Sequence, residues 1–392
     1  MNNKKILIVY PHNFLQGLHG TNMNIYQLTK IFKELNYDVD LFAYEGFTPD
    51  SDFSNFKEQN KDRLVNKLYV YDFRKSKKMN KTSIINKIKN KIKSKTEKHL
   101  QDWTNYEIQN YFDKVTSDNK YDDVIITYSY LANLIVKTKN KISYKKIYYM
   151  IDSMFLQQYS WDKKTNKNLT LGKLMDEELE RLKYFDKFLC VSNDEKIFYE
   201  KLLEKKMHFI PHFSDNKGYE LKPLHKRRWD VFFIGFDNPF NVEGLNWFLD
   251  EVYPYLDKNL KILLVGTSTN KINNSYSNVD IIQYAPSLDE IFENVKISIC
   301  PMFRGTGIKI KVVESMENGL PVVCTERGVD GLPDKTECGC LITEDAKEFA
   351  GYINKLTSDD NFYNEVSEKI KNYYKKIFDR EKYKKIISNI LI

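Results

Sequence analysis

Residues 297–325, ISICPMFRGTGIKIKVVESMENGLPVVCT, restrict the fold of this chain more than any other stretch. A short apolar run from Ile297 to Cys300 ends at Pro301, and a loop carrying Gly305 and Gly307 follows. Val312, Val313 and Met316 then recur at helical spacing until Asn318-Gly319 stops them, and Pro321 leads into a second apolar run, Val322 to Cys324. Two strand-length apolar runs around one amphipathic helix describe a βαβ unit, and that connection requires a parallel sheet. A glycine loop at a helix start presents backbone N–H groups that can take a phosphate. Lys309 and Lys311 add positive charge beside it, and Glu314 stands one turn further on, placed for ribose hydroxyls. The layout suits a nucleoside diphosphate. Many glycine loops are only tight turns, and the residues by themselves leave that reading open too.

The pattern G-x-G-I-x-x-K-V-x-E-x-M-x-x-G-x-P-V-V over 305–323 resembles the donor-site signature of retaining glycosyltransferases of the GT-B fold, the family-4-like group (glycosyl transferases group 1). The resemblance runs along nearly the whole chain and is sharp in 297–332. It implies an α/β protein of two Rossmann-like domains whose parallel sheets face each other across a cleft. The implied reaction moves a sugar from a nucleotide-diphosphate donor, UDP- or GDP-linked, to a glycan, lipid-linked or other hydroxyl acceptor, with retention of configuration. It implies no cofactor and no metal ion, and no D-x-D motif follows a predicted strand. Carried over by position, the donor would meet Gly235, Gly266, Gly305, Thr306, Gly307, Ile308, Lys309, Lys311 and Glu314, with Tyr284-Ala285-Pro286 beside the base. Lys311, Asp152 and Arg304 would carry the chemistry. Gly17, Gly20, His19, Tyr128 and Asp152 would lie near the sugar and the acceptor.

Three positions depart from the family pattern. Tyr128 stands where a His is usual, although a phenol still donates a hydrogen bond. Thr306 replaces the first glutamate of an E-x7-E pair and supplies no carboxylate. The Arg and Lys that many relatives carry after the VFFIG strand are missing, which leaves Arg304, Lys309 and Lys311 as the cations for the phosphates.

A chain of 392 residues has room for two domains with separate cores. Residues 1–213 read as the first, with 378–392 as a helix returning to it; 214–229 read as a linker and 230–377 as the second. No apolar run is long enough to span a bilayer, and the start goes directly into a strand, so a cytoplasmic protein is expected. Five scattered cysteines read as reduced thiols.

In the first domain KILIVY (5–10) is a buried strand, followed by a helix from about Thr21 to Leu35 on Ile25, Leu28, Ile31 and Phe32. Its entry loop is either an ordinary turn or a ligand contact. DDVIITY (122–128) and KIYYMI (146–151) are further strands, with SYLANLIVK as helix between them. Asp152 follows the second strand, at the end where parallel sheets bind ligands, or as a helix cap. A helix is expected over 176–184, and Ser192 or Asn193 caps the next one. His212 replaces the usual Asn of a closing V-P-N-G strand. In the second domain one helix is expected over Leu245, Phe248, Leu249 and Val252.

Residues 74–98 hold one acid, Glu97, among many lysines, with Ile84, Ile85, Ile88 and Ile92 at helical spacing. This reads as a basic amphipathic helix, either packed on its domain or held at the inner face of the plasma membrane by anionic lipid. No aromatic interleaving points to nucleic acid. A non-catalytic GT-B partner subunit and a nucleotide-sugar epimerase are the other functional readings.

Overall fold

The computed structural model describes residues 4–17, 20–74, 100–162, 169–213, 221–272, 276–285 and 287–391. The basic segment expected over 74–98 lies outside them apart from Arg74, as do His19, Pro286 and residues 214–220 of the linker. The chain divides into two compact units, Met1–Phe213 with Arg380–Ile392, and Ser214–Asp379. No helix among the described residues is long and apolar enough to cross a membrane.

The first unit is built on seven parallel strands: β1 (Lys5–Val9), β2 (Asp38–Glu45), β3 (Lys67–Asp72), β4 (Asp123–Ile126), β5 (Lys145–Met150), β6 (Lys187–Cys190) and β7 (Met207–Phe209), in the order β3-β2-β1-β4-β5-β6-β7. Central strands of such a sheet are covered on both faces, and Ile6, Leu7, Ile8, Val124, Ile125 and Ile126 are accordingly fully buried. Helices α1 (Gly20–Glu34), α2 (Tyr106–Asp118), α3 (Met154–Asp162), α4 (Leu171–Leu182) and α5 (Asn193–Leu203) provide much of the cover. The apolar stripe of α1 is buried as its spacing predicts, and Asn36 ends that segment with φ of 61°, a conformation Asn tolerates.

Two expectations for this unit are corrected. SYLANLIVK is a 3-10 turn (Ser129–Leu131) and one helical turn (Asn133–Val136), not a continuous helix. The helix expected from 176 begins at Leu171, because Leu174, Glu178 and Leu182 share its inner face.

The second unit carries β8 (Trp229–Ile234), β9 (Ile262–Val265), β10 (Val279–Ile282), β11 (Val295–Cys300), β12 (Val322–Cys324) and β13 (Leu341–Ile342), parallel, in the order β10-β9-β8-β11-β12-β13. Trp229, expected as the last linker residue, is the first of β8 and packs with Phe232, Leu263, Phe292 and Leu320. Helices α6 (Pro239–Trp247), α7 (Asp289–Asn294), α8 (Ile310–Glu317), α9 (Ala346–Ser358) and α10 (Asp360–Ile377) accompany the sheet. The single helix expected through Val252 stops being α-helical at Phe248, widens into a π turn (Phe248–Val252) and closes as a 3-10 turn (Tyr253–Tyr255). Pro254 has no N–H to continue the ladder and its ring would crowd the preceding turn.

The last helix, α11 (Arg380–Leu391), belongs to the first unit. Ile387 is fully buried, and the ammoniums of Lys4 and Lys145 donate to the terminal carbonyls of Leu391 and Ile390 at 2.8 and 3.3 Å. Those carbonyls have no partner within the helix, and cations also suit its negative end. At the other end Arg380 binds Glu34 through two hydrogen bonds of 2.6 and 2.9 Å, with Lys384 at 3.1 Å. The Arg380 hydrogen bonds hold the Glu34 carboxyl near 2, below its ordinary 4.5. Ion-pair stabilisation is therefore complete above about pH 4.5 and lost as pH falls toward 2. Ile387→Ala should lower the stability of the first unit by about 2–5 kcal/mol. Glu34→Gln should cost no more than about 1 kcal/mol at pH 7 and flatten the acid limb; denaturant melts at pH 7 and pH 3 check both.

Candidate functional site

In the second sheet the chain builds β8, β9 and β10 outward to one side, then returns to lay β11 against β8. The strand order reverses between β8 and β11, and in open α/β sheets ligands bind beyond the carboxyl ends of the strands at such a point. Gly235 follows β8, Gly266 follows β9, and residues 301–309 follow β11, so this edge collects the residues expected to hold the donor.

The β8 and β9 loops are held together through one carbonyl. Gly235 O accepts from Ser268 Oγ at 2.8 Å and Ser268 N at 3.2 Å. A Cβ on Gly266, whose φ is +101°, would stand 2.2 Å from that same oxygen, so only glycine allows the approach. Helix α6 begins just beyond. Asn238 caps it by accepting from Phe240 N and Asn241 N at 3.0 and 2.9 Å, and Pro239 fills the first turn. Gly244 on α6 lies against the Pro301 carbonyl, where a Cβ would come within 2.3 Å. That closeness puts α6 beside the start of α8.

Across the seam, Lys311 Nζ on α8 donates to Asn241 Oδ1 on α6 at 2.8 Å and lies 4.7 Å from the centre of the Phe233 ring. Burial lowers the Lys311 pKa, and the neighbouring Lys309 cation lowers it further. A desolvated ammonium on an aromatic face beside a second cation is a favourable position for an anion. No side chain caps the N-terminus of α8, which leaves its first turn to ligand or solvent. Gly305 and Gly307 both have positive φ, 120° and 68°, and turn the loop that carries Thr306 and Ile308 into that helix start.

Two of the expected phosphate cations are otherwise engaged. Lys309 is 6% exposed, and its ammonium donates to the carbonyls of Gly307 and Thr306 at 3.0 and 3.3 Å, so it braces the loop from within. Arg304 makes a two-pronged pair with Glu243, 2.8 and 2.6 Å, on the surface of α6. Lys311 is thus the expected cation held at the seam. Glu314, one turn on, has its pKa raised to about 8, first by burial and then by the charge of Glu317, against the pull of Lys311. At neutral pH it is an un-ionised acid, able to donate as well as accept a hydrogen bond. Tyr284 stands 81% exposed past the end of β10.

Three contributors were not read from the sequence. Asn241 holds Lys311, Ser268 ties two loops, and buried Thr325 donates its hydroxyl to Met302 O, anchoring the loop after β11. Asn241 alone left a signal, a polar residue in the first turn of the helix after β8.

The expected sugar-side residues occupy the corresponding edge of the first sheet, where the order reverses between β1 and β4. Tyr128 follows β4, is 6% exposed, and packs 6.0 Å from Tyr10 and 5.6 Å from Trp103. Burial pushes its phenol above the ordinary range. Asp152 follows β5 and is half-buried. Gly17 lies in the loop after β1, and Gly20, with φ of +54°, opens α1. Tyr10 Oη there donates to Asn22 Oδ1 at 2.7 Å. His212 is a packing residue, 1% exposed and bonded to Asn24 Oδ1 at 2.6 Å, with its pKa pushed down to about 3 by burial. Among the described residues no three His, Cys, Asp or Glu are grouped to hold a metal ion, and the five cysteines are free thiols.

Glu314 gives this site a pH signature. Its folded pKa lies above the ordinary 4.5, so the second unit keeps full stability below about pH 4.5 and loses stability as pH rises toward about 8. Glu314→Gln should remove that decline, on the order of 1–3 kcal/mol, in melts between pH 5 and pH 9.

Residues 228–359, which hold all of the second-unit site, match the family model for glycosyl transferases group 1. A Klebsiella pneumoniae protein described as an uncharacterized 44.6 kDa protein in the cps region is 24% identical over 410 residues, spanning 98% of each chain. Sucrose-phosphate synthase from Thermosynechococcus elongatus superposes with a TM-score of 0.68 at 13% identity, over 99% of this chain and 98% of that one. TarM of S. aureus, solved with fondaparinux, α-GlcNAc-glycerol and UDP, gives 0.68 at 12% identity over 99% of each chain. Anabaena HepE, solved with UDP, gives 0.67 at 11% identity over 99% of each. The chain therefore has the GT-B fold, with its residues 228–359 matching the glycosyl transferases group 1 model.

Proposed function

We propose that this protein transfers a glycosyl group from a nucleotide-diphosphate sugar to a hydroxyl of a glycan or lipid-linked acceptor, with retention of configuration and without a metal ion. The observation that carries the reading is the Lys311 ammonium, held at 2.8 Å by Asn241 at the start of α8. The departing diphosphate gains negative charge as the glycosidic bond breaks. A cation and helix-start amides already in place stabilise that charge with little reorganisation. Glu314, neutral at pH 7, would bind ribose hydroxyls in both senses, and Tyr284 offers a ring for the base. The UDP bound in the HepE and TarM structures, and the cps region of the Klebsiella relative, support a nucleotide-sugar donor and a role in polysaccharide synthesis.

A second reading, a GT-B subunit that binds donor but does not turn it over, is favoured by Thr306 in place of a carboxylate and by the Arg304–Glu243 pair. Calorimetry with UDP and GDP, followed by donor hydrolysis and product mass, separates the two. Lys311→Ala should weaken nucleoside diphosphate binding roughly ten- to hundredfold, the worth of one charge-assisted hydrogen bond. No binding of either nucleotide to the wild-type chain would refute the donor site, and binding without turnover across donors and acceptors would favour the subunit reading.

The acceptor-side unit would meet an anionic bilayer through the basic segment 74–98, at about 1 kcal/mol for each basic residue near the surface. Flotation with anionic liposomes should fall with added salt and on deletion of that segment; unchanged flotation after deletion ends the membrane proposal.

A further inference from the structure

Aromatic rings gather where the strands of the first sheet end. Tyr10 and His12 follow β1, Tyr44 and Phe47 close β2, Phe73 follows β3, and Tyr128 and Tyr130 follow β4. Trp103 joins them from the segment before α2. Phe47 is the centre of the set, with ring centroids 5.0 Å from Trp103, 5.3 Å from Phe73, 5.6 Å from Tyr44 and 6.3 Å from His12. Trp103 packs in turn on Tyr130 at 4.8 Å and Tyr128 at 5.6 Å. Tyr10, Tyr44, Tyr128 and Tyr130 form the buried floor, while Phe47, Phe73, Trp103 and His12 keep part of their surface open.

The open rings are fixed in place. Trp103 N donates to Tyr130 O at 3.0 Å, and Trp103 O accepts from Tyr44 Oη at 3.1 Å. The turn bearing Phe47 closes through Gly46 N to Ser51 O at 3.0 Å and is tied to the β1 loop by Ser51 Oγ to Pro11 O, also 3.0 Å. His12 Nδ1 meets Thr48 Oγ1 at 2.9 Å, and burial lowers its pKa to about 4, so the ring is neutral at pH 7. A rigid aromatic surface loses little entropy when it binds.

The charges around it choose the ligand. Among the described residues bordering the rings, Glu45, Asp50, Asp72 and Asp102 are acidic; the cations Arg74 and Lys137 are already paired with Glu45, Asp72 and Asp102 at 2.9–3.2 Å, and Arg181 donates to the carbonyls of Leu100, Gln101 and Ser129 at 2.7–3.1 Å. From these described residues a phosphate-bearing chain would meet net negative charge, and a bare acyl chain would leave carboxylates facing hydrocarbon. A pyranose suits both features, because its C–H face packs on rings and its hydroxyls donate to carboxylates.

We propose that Phe47, Phe73 and Trp103 form a stacking platform for an uncharged sugar residue of the acceptor, so that the acceptor is a neutral glycan. The proposal rests on the glycosyl-transfer reading and names the acceptor class within it.

Saturation-transfer NMR tests it with methyl gluco-, galacto- and mannopyranosides in both anomers, and a glycerol-phosphate oligomer as the charged comparator. UDP and GDP affinities are measured on the same samples. The wild-type chain should show ring-to-sugar transfer on one face of a pyranoside. Trp103→Ala and Phe47→Leu should each weaken that sugar about tenfold with nucleotide affinity unchanged. Trp103→Phe, which keeps a stacking face and is the safer variant for folding, should stay within about threefold of wild type. The proposal is overturned if no pyranoside binds the wild-type chain at millimolar concentration, if affinity is unchanged in both ring-removing variants, or if the glycerol-phosphate oligomer binds more tightly. Sugar binding that depends on these rings in a chain that binds neither UDP nor GDP would uphold the platform while refuting the donor site.

Discussion

One hydrogen bond, Lys311 Nζ to Asn241 Oδ1, crosses the seam on which the second unit is arranged. It joins the helix after β8 to the helix after β11, two strands that are neighbours in the sheet with β9 and β10 built between them in sequence. A parallel sheet is covered on both faces, so polar chemistry concentrates at its ends, and only a reversal of strand order opens room there. Small residues let the elements close up around that room. Gly244 lets α6 lie on the Pro301 carbonyl, and Gly266 lets its loop lie on the Gly235 carbonyl.

The titrating groups follow from the same burial. Lys311 and Glu314 sit one helical turn apart, both shifted toward their neutral forms by desolvation. The Lys311 ammonium keeps Asn241 as its partner, and Glu314 beside it is held toward the protonated form. In the first unit the corresponding edge is aromatic, with Tyr10 and Tyr128 un-ionised and His12 without charge inside a border of carboxylates. The same sheet topology thus supports two different chemistries, cationic in one unit and aromatic in the other.

Much of this was legible because the period of the pattern matched the environment. ILIV in β1, ILLV and VVC are unbroken apolar runs, which is what a strand covered on both faces requires. The loop at 305–309 was visible through its glycines, whose positive φ other residues adopt only with strain. Local pattern failed where the decisive atom lay elsewhere. Pro254 broke a helix whose apolar stripe continued unchanged, and buried Leu174 extended α4 back to Leu171 across Gly172.

The sequence by itself determined that the chain folds as two parallel α/β sheets, and that a glycine loop with cations and one carboxylate follows β11, since spacing and residue type are properties of the chain. Only the tertiary structure decided which cation faces the seam. Lys309 turned to the carbonyls of its own loop, Arg304 to Glu243, and Lys311 to Asn241. Residues 61 and 70 positions away in the chain made two of those choices. A flexible ammonium or guanidinium goes to the nearest uncompensated oxygen, and packing, which spacing does not record, determines where that oxygen lies.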